Sequence, residues 1–248
     1  MGKIIAVTNQ KGGVGKTTTA QVLAVGLKNK GKKVLVIDTD GQGTLTSVMG
    51  ARPEPTILDV INGDATIESA IQTTAQTDII PANIGLYNAG DKITGIEALK
   101  DVVEPIKGKY DYILIDTPPA VSVITVNALM VCDYVLITAL ADMPTVEGII
   151  QLATATIPPV KEYNSDLKIA GILLVKYNNR TTLNRNIAEY LESVAKQLGT
   201  RLYKSTIREA VAVREAQTKK TDIFSYAPRS KVAEDYKEFI NEFVRSVK

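Results

Sequence analysis

Two observations predict a doubly wound α/β fold, a mostly parallel β-sheet flanked by helices. Short apolar, β-branched runs recur along the 248 residues, and stretches of helical periodicity separate them. Between the first run and the first helical stretch lies a glycine-rich turn, NQKGGVGKTTTA, at residues 9–20. In order, the runs are KIIAVTN (3–9), KVLVID (33–38), TDIIPA (77–82), DYILIDTP (111–118), DYVLITAL (133–140) and KIAGILLVKY (168–177). Nearly unbroken runs of this kind suit strands buried on both faces. Helices are expected over 16–29, 145–157, 182–198 and 231–247, joined to the strands by right-handed crossovers. Residues 41–75 are the least regular, with ARPEPT as a turn before a short helix. No repeat, low-complexity tract or flexible linker interrupts the pattern, so residues 1–248 are expected to form one domain. The first strand begins at residue 3, and no N-terminal helix-turn-helix module is expected.

Composition narrows the chemistry. The chain has no histidine, one cysteine and no tryptophan. Ser-His-Asp and Cys-His catalysis within the chain are excluded, as is an imidazole metal site. Cys132, in the apolar run NALMVCDYVLI, has no partner for an internal disulfide and is expected in the core. KIIAV is too short for a secretory leader, and no run approaches the roughly 20 apolar residues of a membrane span. A cytoplasmic location is expected. Net charge is +2 but unevenly spread. Residues 1–150 carry 12 Lys and Arg against 16 Asp and Glu, while residues 151–248 carry 17 against 11. That asymmetry hints at a polyanion-facing surface in the second half.

The glycine turn reads as a phosphate-binding loop, because it follows a strand and precedes a helix. The usual pattern, G-x-x-x-x-G-K-[ST], fails at its first letter, since Gln10 stands five places before Gly15. Instead Gly12 and Gly13 crowd the turn, and a second lysine, Lys11, precedes them. The stretch Gly12, Gly13, Val14 and Gly15 lets backbone N–H groups curl round phosphate oxygens. The helix starting near Lys16 adds its positive end. Lys16 is expected to reach the β- and γ-phosphates and the Thr17 hydroxyl to ligate Mg²⁺, with Thr18 completing the nucleotide-binding set. Carboxylates follow two other runs: Asp38 and Asp40 in VLVIDTDGQGT, and Asp116 in YILIDTPPA. These are strand ends of the kind at which open α/β sheets bind ligands, and Asp116 is placed to hold Mg²⁺ directly or through water.

KGGVGKTT resembles the deviant Walker A loop of the ParA/MinD group of P-loop ATPases. DTDGQGT is similar to that group's first switch and LIDTPPA to its second. GILLVKYNNRTTL and FSYAPRSKVAEDY resemble the ParA/Soj branch in place and order. The resemblance implies a Mg²⁺-dependent ATPase in which Lys11 points across a homodimer interface to the partner's ATP, two chains sandwiching two nucleotides. It further implies that Asp40 orients or deprotonates the attacking water, that Asp116 links Mg²⁺ to the second switch, and that Asp38 supports the metal from behind. With no histidine in the chain, a carboxylate is the side-chain base to expect beside the loop. Lys11, Lys16 and Asp40 are thus the expected catalytic residues.

The branch also implies nonspecific DNA binding by the ATP-bound dimer, a ParB-like centromere-binding partner that stimulates hydrolysis, and association with the nucleoid. From Lys176 to Lys220, ten basic residues stand against four acidic ones. Arg180 matches an arginine of the branch associated with DNA, and Arg185, Arg208, Arg214, Lys219 and Lys220 are further candidates for phosphate contacts. Two departures from the family pattern stand out. Gly41 occupies the usual place of a proline, and TIREAVAVREA replaces the branch's I-P-R-N-V-R-L-S-E-A, with Arg208 where proline is common.

Competing classes share the loop. MinD-like membrane targeting would use SKVAEDYKEFINEFVRSVK, whose Val232, Tyr236, Phe239, Ile240, Phe243 and Val247 share a helical face. A membrane-surface helix is normally richer in Lys and Arg, so a helix docked on the core is expected, with no membrane partner. A cargo-positioning ATPase is another alternative. A dethiobiotin-synthetase-like ligase would use the same loop, but the switch pair speaks against it.

Overall fold

The six apolar runs fold as parallel strands because both of their faces find cover. In the computed structural model, which describes residues 2–91, 93 and 95–247, they are joined by one short strand that the sequence did not reveal. The strands are β1 (Lys3–Thr8), β2 (Val34–Asp38), β3 (Gln72–Thr73), β4 (Asp78–Ile80), β5 (Tyr112–Asp116), β6 (Tyr134–Ala139) and β7 (Lys168–Leu174). Their order across the sheet is β3-β4-β2-β5-β1-β6-β7. Every pairing is parallel except β3 with β4, an antiparallel edge of two residue pairs. Two residues are too few to show any alternation, which is why β3 is invisible in the sequence.

Side chains of successive strand residues point to opposite faces. Ile4, Ala6, Leu35, Ile37, Ile113 and Ile115 enter one core, covered by the helices Val123–Val131, Met143–Gln151 and Thr182–Gln197. Ile5, Val7, Val34, Val36 and Leu114 enter the other, under the helices Lys16–Lys28 and Lys231–Ser246. Cys132 is buried in the first core, and burial pushes its thiol up to about 12, so it stays a neutral packing group. The apolar face of the last helix, with Val232, Tyr236, Phe239, Ile240 and Phe243, is buried against the sheet, as its charge balance led us to expect.

One helix was not foreseen and another differs from expectation. VITVNALMV forms the helix Val123–Val131, buried almost all round, so no 3.6-residue stripe marks it. Its Asn127 is satisfied inside the core, accepting from Leu99 N at 3.0 Å and donating to the carbonyls of Gly95 and Val123. The helix expected over 145–157 begins earlier, at Met143, and runs to Gln151. It then widens into a π-helical turn, Leu152–Thr156, and continues as Ile157–Lys161. Pro158 and Pro159 lack the N–H groups that would serve the carbonyls of residues 154 and 155, which accounts for the irregular turn. After ARPEPT, the short helix Ile57–Ile61 forms as expected, closed by a capping box between Thr56 and Asp59.

Candidate nucleotide-binding site

The carboxyl ends of β1, β2 and β5 lie side by side, and the register pairs Val7 with Asp116 and Asp38 with Asp116. The loop leaving β1 turns sharply into the helix Lys16–Lys28. Gly13 and Gly15 take φ of 74° and 73°, the left-handed region that other residues avoid, and a Cβ on Gly15 would also come 3.3 Å from Val175 Cγ2. No side chain caps the helix, so its first N–H groups remain open to a ligand. Val14 is fully buried and contributes backbone rather than side chain to the loop.

A cleft of about 390 Å³ opens over this turn. Its lining joins the polar and glycine-rich Gly12, Gly13, Gly15, Lys16, Thr17, Thr18 and Asp40 to the apolar Val175, Ile207, Ala210 and Val213, with Tyr236. A lining that mixes a buried cation and a glycine turn with apolar side chains suits a ligand that carries both an anionic group and an apolar one. Lys16 is only 7% exposed, and its Nζ donates to the Lys11 carbonyl at 3.0 Å. Burial pulls its pKa down, against the opposing pull of Asp116 and Asp40. An ammonium this deep gains greatly from an anionic ligand.

The two strand-end aspartates are both fully buried but differently satisfied. Asp38 Oδ2 accepts from Thr46 N and Thr46 Oγ1, both at 2.8 Å, and its Oδ1 accepts from Asp40 N at 3.1 Å. Burial nonetheless lifts its pKa to about 6. Among the described residues neither oxygen of Asp116 has a partner at full hydrogen-bond geometry, although the Thr17 hydroxyl stands near enough to interact weakly. Burial, reinforced by Asp38, raises the Asp116 pKa well above the carboxylate range, and Thr17 and Lys16 pull it back in part. A buried carboxylate whose oxygens lack full hydrogen bonds, beside a threonine at the head of the helix, fits a hard cation. Among the described residues no cluster of three or more His, Cys, Asp or Glu could hold a metal alone, so such a cation would draw its other ligands from phosphate oxygens and water.

Asp40 is half-buried on the cleft wall. Its Oδ1 accepts from Gln42 N at 3.0 Å and its carbonyl from Gly43 N at 2.8 Å, so a tight turn holds it. Lys11 is held within its own chain: Nζ lies 2.7 Å from Asp142 Oδ2, and its N–H donates to Asn9 Oδ1 at 2.9 Å. Asp142 caps the helix Met143–Gln151 by accepting from Thr145 N. Although burial opposes it, these hydrogen bonds hold its carboxyl below the usual range.

The six basic candidates are all exposed, and two of the six line the cleft. Arg208 and Arg214 line the cleft itself, and Arg208 makes a two-pronged pair with Asp235, Nε to Oδ2 at 2.6 Å and Nη2 to Oδ1 at 2.7 Å. Arg180 and Arg185 sit at the start of the helix Thr182–Gln197, where Arg185 donates to the carbonyls of Asn179 and Arg180. Lys219 lies over the Tyr226 ring at 5.1 Å, and Lys220 takes a left-handed φ of 51° at the end of the helix Val211–Thr218.

Sequence reasoning missed Asp142, Lys176 and Gln217. Lys176 Nζ reaches the Gly13 carbonyl at 3.1 Å, and Gln217 Nε2 donates to Thr18 Oγ1 at 3.1 Å. Asp142 had a signal, since an aspartate two places before a proline is a helix-start pattern. The other two had none, because only the tertiary fold brings them to the loop.

Residues 2–169 match the family described as AAA domain. The chain is 39% identical to the sporulation initiation inhibitor protein Soj of Bacillus subtilis (strain 168), with 98% of each chain covered. It is 33% identical to the chromosome-partitioning ATPase Soj of Treponema pallidum (strain Nichols), again over 98% of each. Among solved structures, cobyrinic acid a,c-diamide synthase from Mycobacterium smegmatis with bound ATP analogue and magnesium aligns with a TM-score of 0.84 at 30% identity, covering 99% of this chain and 95% of that one.

Proposed function

Because the chain belongs to the ParA/Soj family of P-loop ATPases, we propose that it is a partition ATPase whose ATP-bound homodimer binds DNA nonspecifically and is reset by hydrolysis. The open N–H groups of the loop and Lys16 receive the triphosphate. Thr17 and Asp116 would hold Mg²⁺, with Asp38 behind them, and the ion would neutralise charge on the phosphates. Asp40 orients the attacking water. Lys11 leaves Asp142 to reach a second chain's nucleotide, a cation supplied in trans where charge builds. A ParB-like centromere-binding protein is the stimulating partner, and the site of action is the nucleoid within the cytoplasm.

The observation that carries this reading is a shared wall. The cleft that contains the phosphate loop is also lined by Lys176, Arg208 and Arg214 of the basic segment, so nucleotide and polyanion surface can influence one another directly. Arg180, Arg185, Lys219 and Lys220 are exposed outside the cleft lining and are further candidates for phosphate contacts. A gel-shift series with ATP, with ADP and with rising salt tests it. DNA should be retained with ATP only, and binding should fall steeply with salt as condensed counterions are released. Binding indifferent to nucleotide would refute the proposal. The likeness to a diamide synthase favours an ATP-dependent ligase as the second reading; such an enzyme would consume ATP only with a small carboxylate substrate and would ignore DNA.

A further inference from the structure

Gly41 stands directly after Asp40 in the segment that follows β2, and an aromatic side chain lies across it. A Cβ placed on Gly41 would lie 3.0 Å from Tyr87 Cδ2 and 3.1 Å from both Cε2 and Cγ of the same ring. The Tyr87 side chain therefore lies against the Gly41 backbone, close enough that a Cβ at position 41 would require the ring to give by a few tenths of an ångström. Its hydroxyl is hydrogen-bonded by Gln42 Nε2. The backbone N–H of that same Gln42 donates to Asp40 Oδ1 at 3.0 Å. One aromatic side chain thus touches both residues that follow Asp40 and is linked through one of them to its carboxylate.

From beneath, Asp40 is held by Asp38, which accepts from its N–H at 3.1 Å. Tyr87 supplies the opposite side. It stands on the 3₁₀ segment Ile84–Asp91, whose Leu86 and Ala89 are buried in the core. Two residues before that segment, Ala82 N donates to Thr46 Oγ1 at 2.9 Å, and the same hydroxyl donates to Asp38. Tyr87 is 53% exposed, so its contacts with Gly41 and Gln42 rather than the core set its place.

We propose that Tyr87 is a positioning residue for hydrolysis, its ring clamping the Gly41 backbone so that Asp40 is held at the cleft. The proposal rests on the water-orienting role of Asp40 given above. A displacement of a catalytic group by about 1 Å can cost about 100-fold in rate, so a loosened turn should be visible in turnover. Tyr87→Ala should lower kcat for ATP by about tenfold, with KM for ATP and the thermal midpoint within twofold and a degree or so of the parent. Tyr87→Phe, which keeps the ring, should restore at least half of the parent kcat. Gly41→Ala should lower kcat where Tyr87 is present, and should be harmless in the Tyr87→Ala background, because the obstructing ring has gone.

Asp40→Ala, assayed alongside, separates the two ideas. If that variant hydrolyses ATP normally, the role of Asp40 falls. If it is inactive while Tyr87→Ala turns over at the parent rate, the clamp alone is overturned. A Tyr87→Ala defect confined to KM or thermal midpoint, a Phe variant as slow as Ala, or additive effects of Gly41→Ala and Tyr87→Ala would each overturn it too.

Discussion

Lys16 and Asp116 show what burial does to charge when the natural counter-charge comes from a ligand. The ammonium has one carbonyl partner and the carboxylate has none at full hydrogen-bond geometry, so both are held at a cost that an anion and a cation would relieve. Lys16→Ala should weaken ATP binding by about 100-fold, the scale of a lost buried charge-assisted hydrogen bond, in a calorimetric titration; unchanged affinity would remove Lys16 from the site. The same burial has a pH consequence. Asp38 sits at about 6 and Asp116 is raised well above the carboxylate range, so the folded chain holds these protons more tightly than the unfolded chain, where both titrate near 4. Stability is then fully present below about pH 4 for these groups and is lost as pH rises through 6. Asp38 alone accounts for about 3 kcal/mol at most. In EDTA, the urea midpoint should fall between pH 5 and pH 7.5. Asp142 and Glu242, whose pKa values are lowered, act in the opposite sense but in more acidic solution.

At the scale of elements, the last helix packs on the core as its sequence led us to expect. Its Asp235 and Glu242 face the segment that borders the cleft: Glu242 accepts from Lys204 N and Ser205 N at 2.9 Å, and Asp235 from Arg208 N at 3.1 Å. Phe239, fully buried, packs edge-on to Tyr203 with centroids 5.1 Å apart. Phe239→Ala should cost about 3–5 kcal/mol of stability, read from urea denaturation. A helix reserved for a membrane surface would tolerate that change with little loss. The helix Val123–Val131 teaches the complementary lesson. Uniform burial erases the periodicity that reveals amphipathic helices, so its type was hidden while its place in the core was plain.

For the molecule as a whole, the question is how Lys11 is deployed. In the single chain it is paired with Asp142 and one-third exposed, close enough to the surface to be exchanged for another partner. Exposed pairs of this kind contribute about 0–1 kcal/mol, so releasing it costs little. Size-exclusion chromatography with light scattering should find a monomer or weak dimer without nucleotide and a dimer with ATP. Lys11→Ala should still bind ATP but hydrolyse it about 1000-fold more slowly. Full activity as a monomer would end the argument for a cation donated between chains.

The sequence by itself determined the six parallel strands, the glycine turn and the residues Lys16, Thr17, Asp38, Asp40 and Asp116, which gather at the carboxyl ends of the central strands. These are local signals: apolar runs report burial, glycines report permitted backbone angles, and a charge after a strand reports a sheet end. Only the tertiary structure decided that Asp38 lies beside Asp116, that Arg208 and Arg214 border the cleft, and that Tyr87 rests on Gly41. Each of these depends on the register and order of strands distant in sequence. A local pattern says whether a side chain is covered; which group covers it is fixed by packing across the whole sheet.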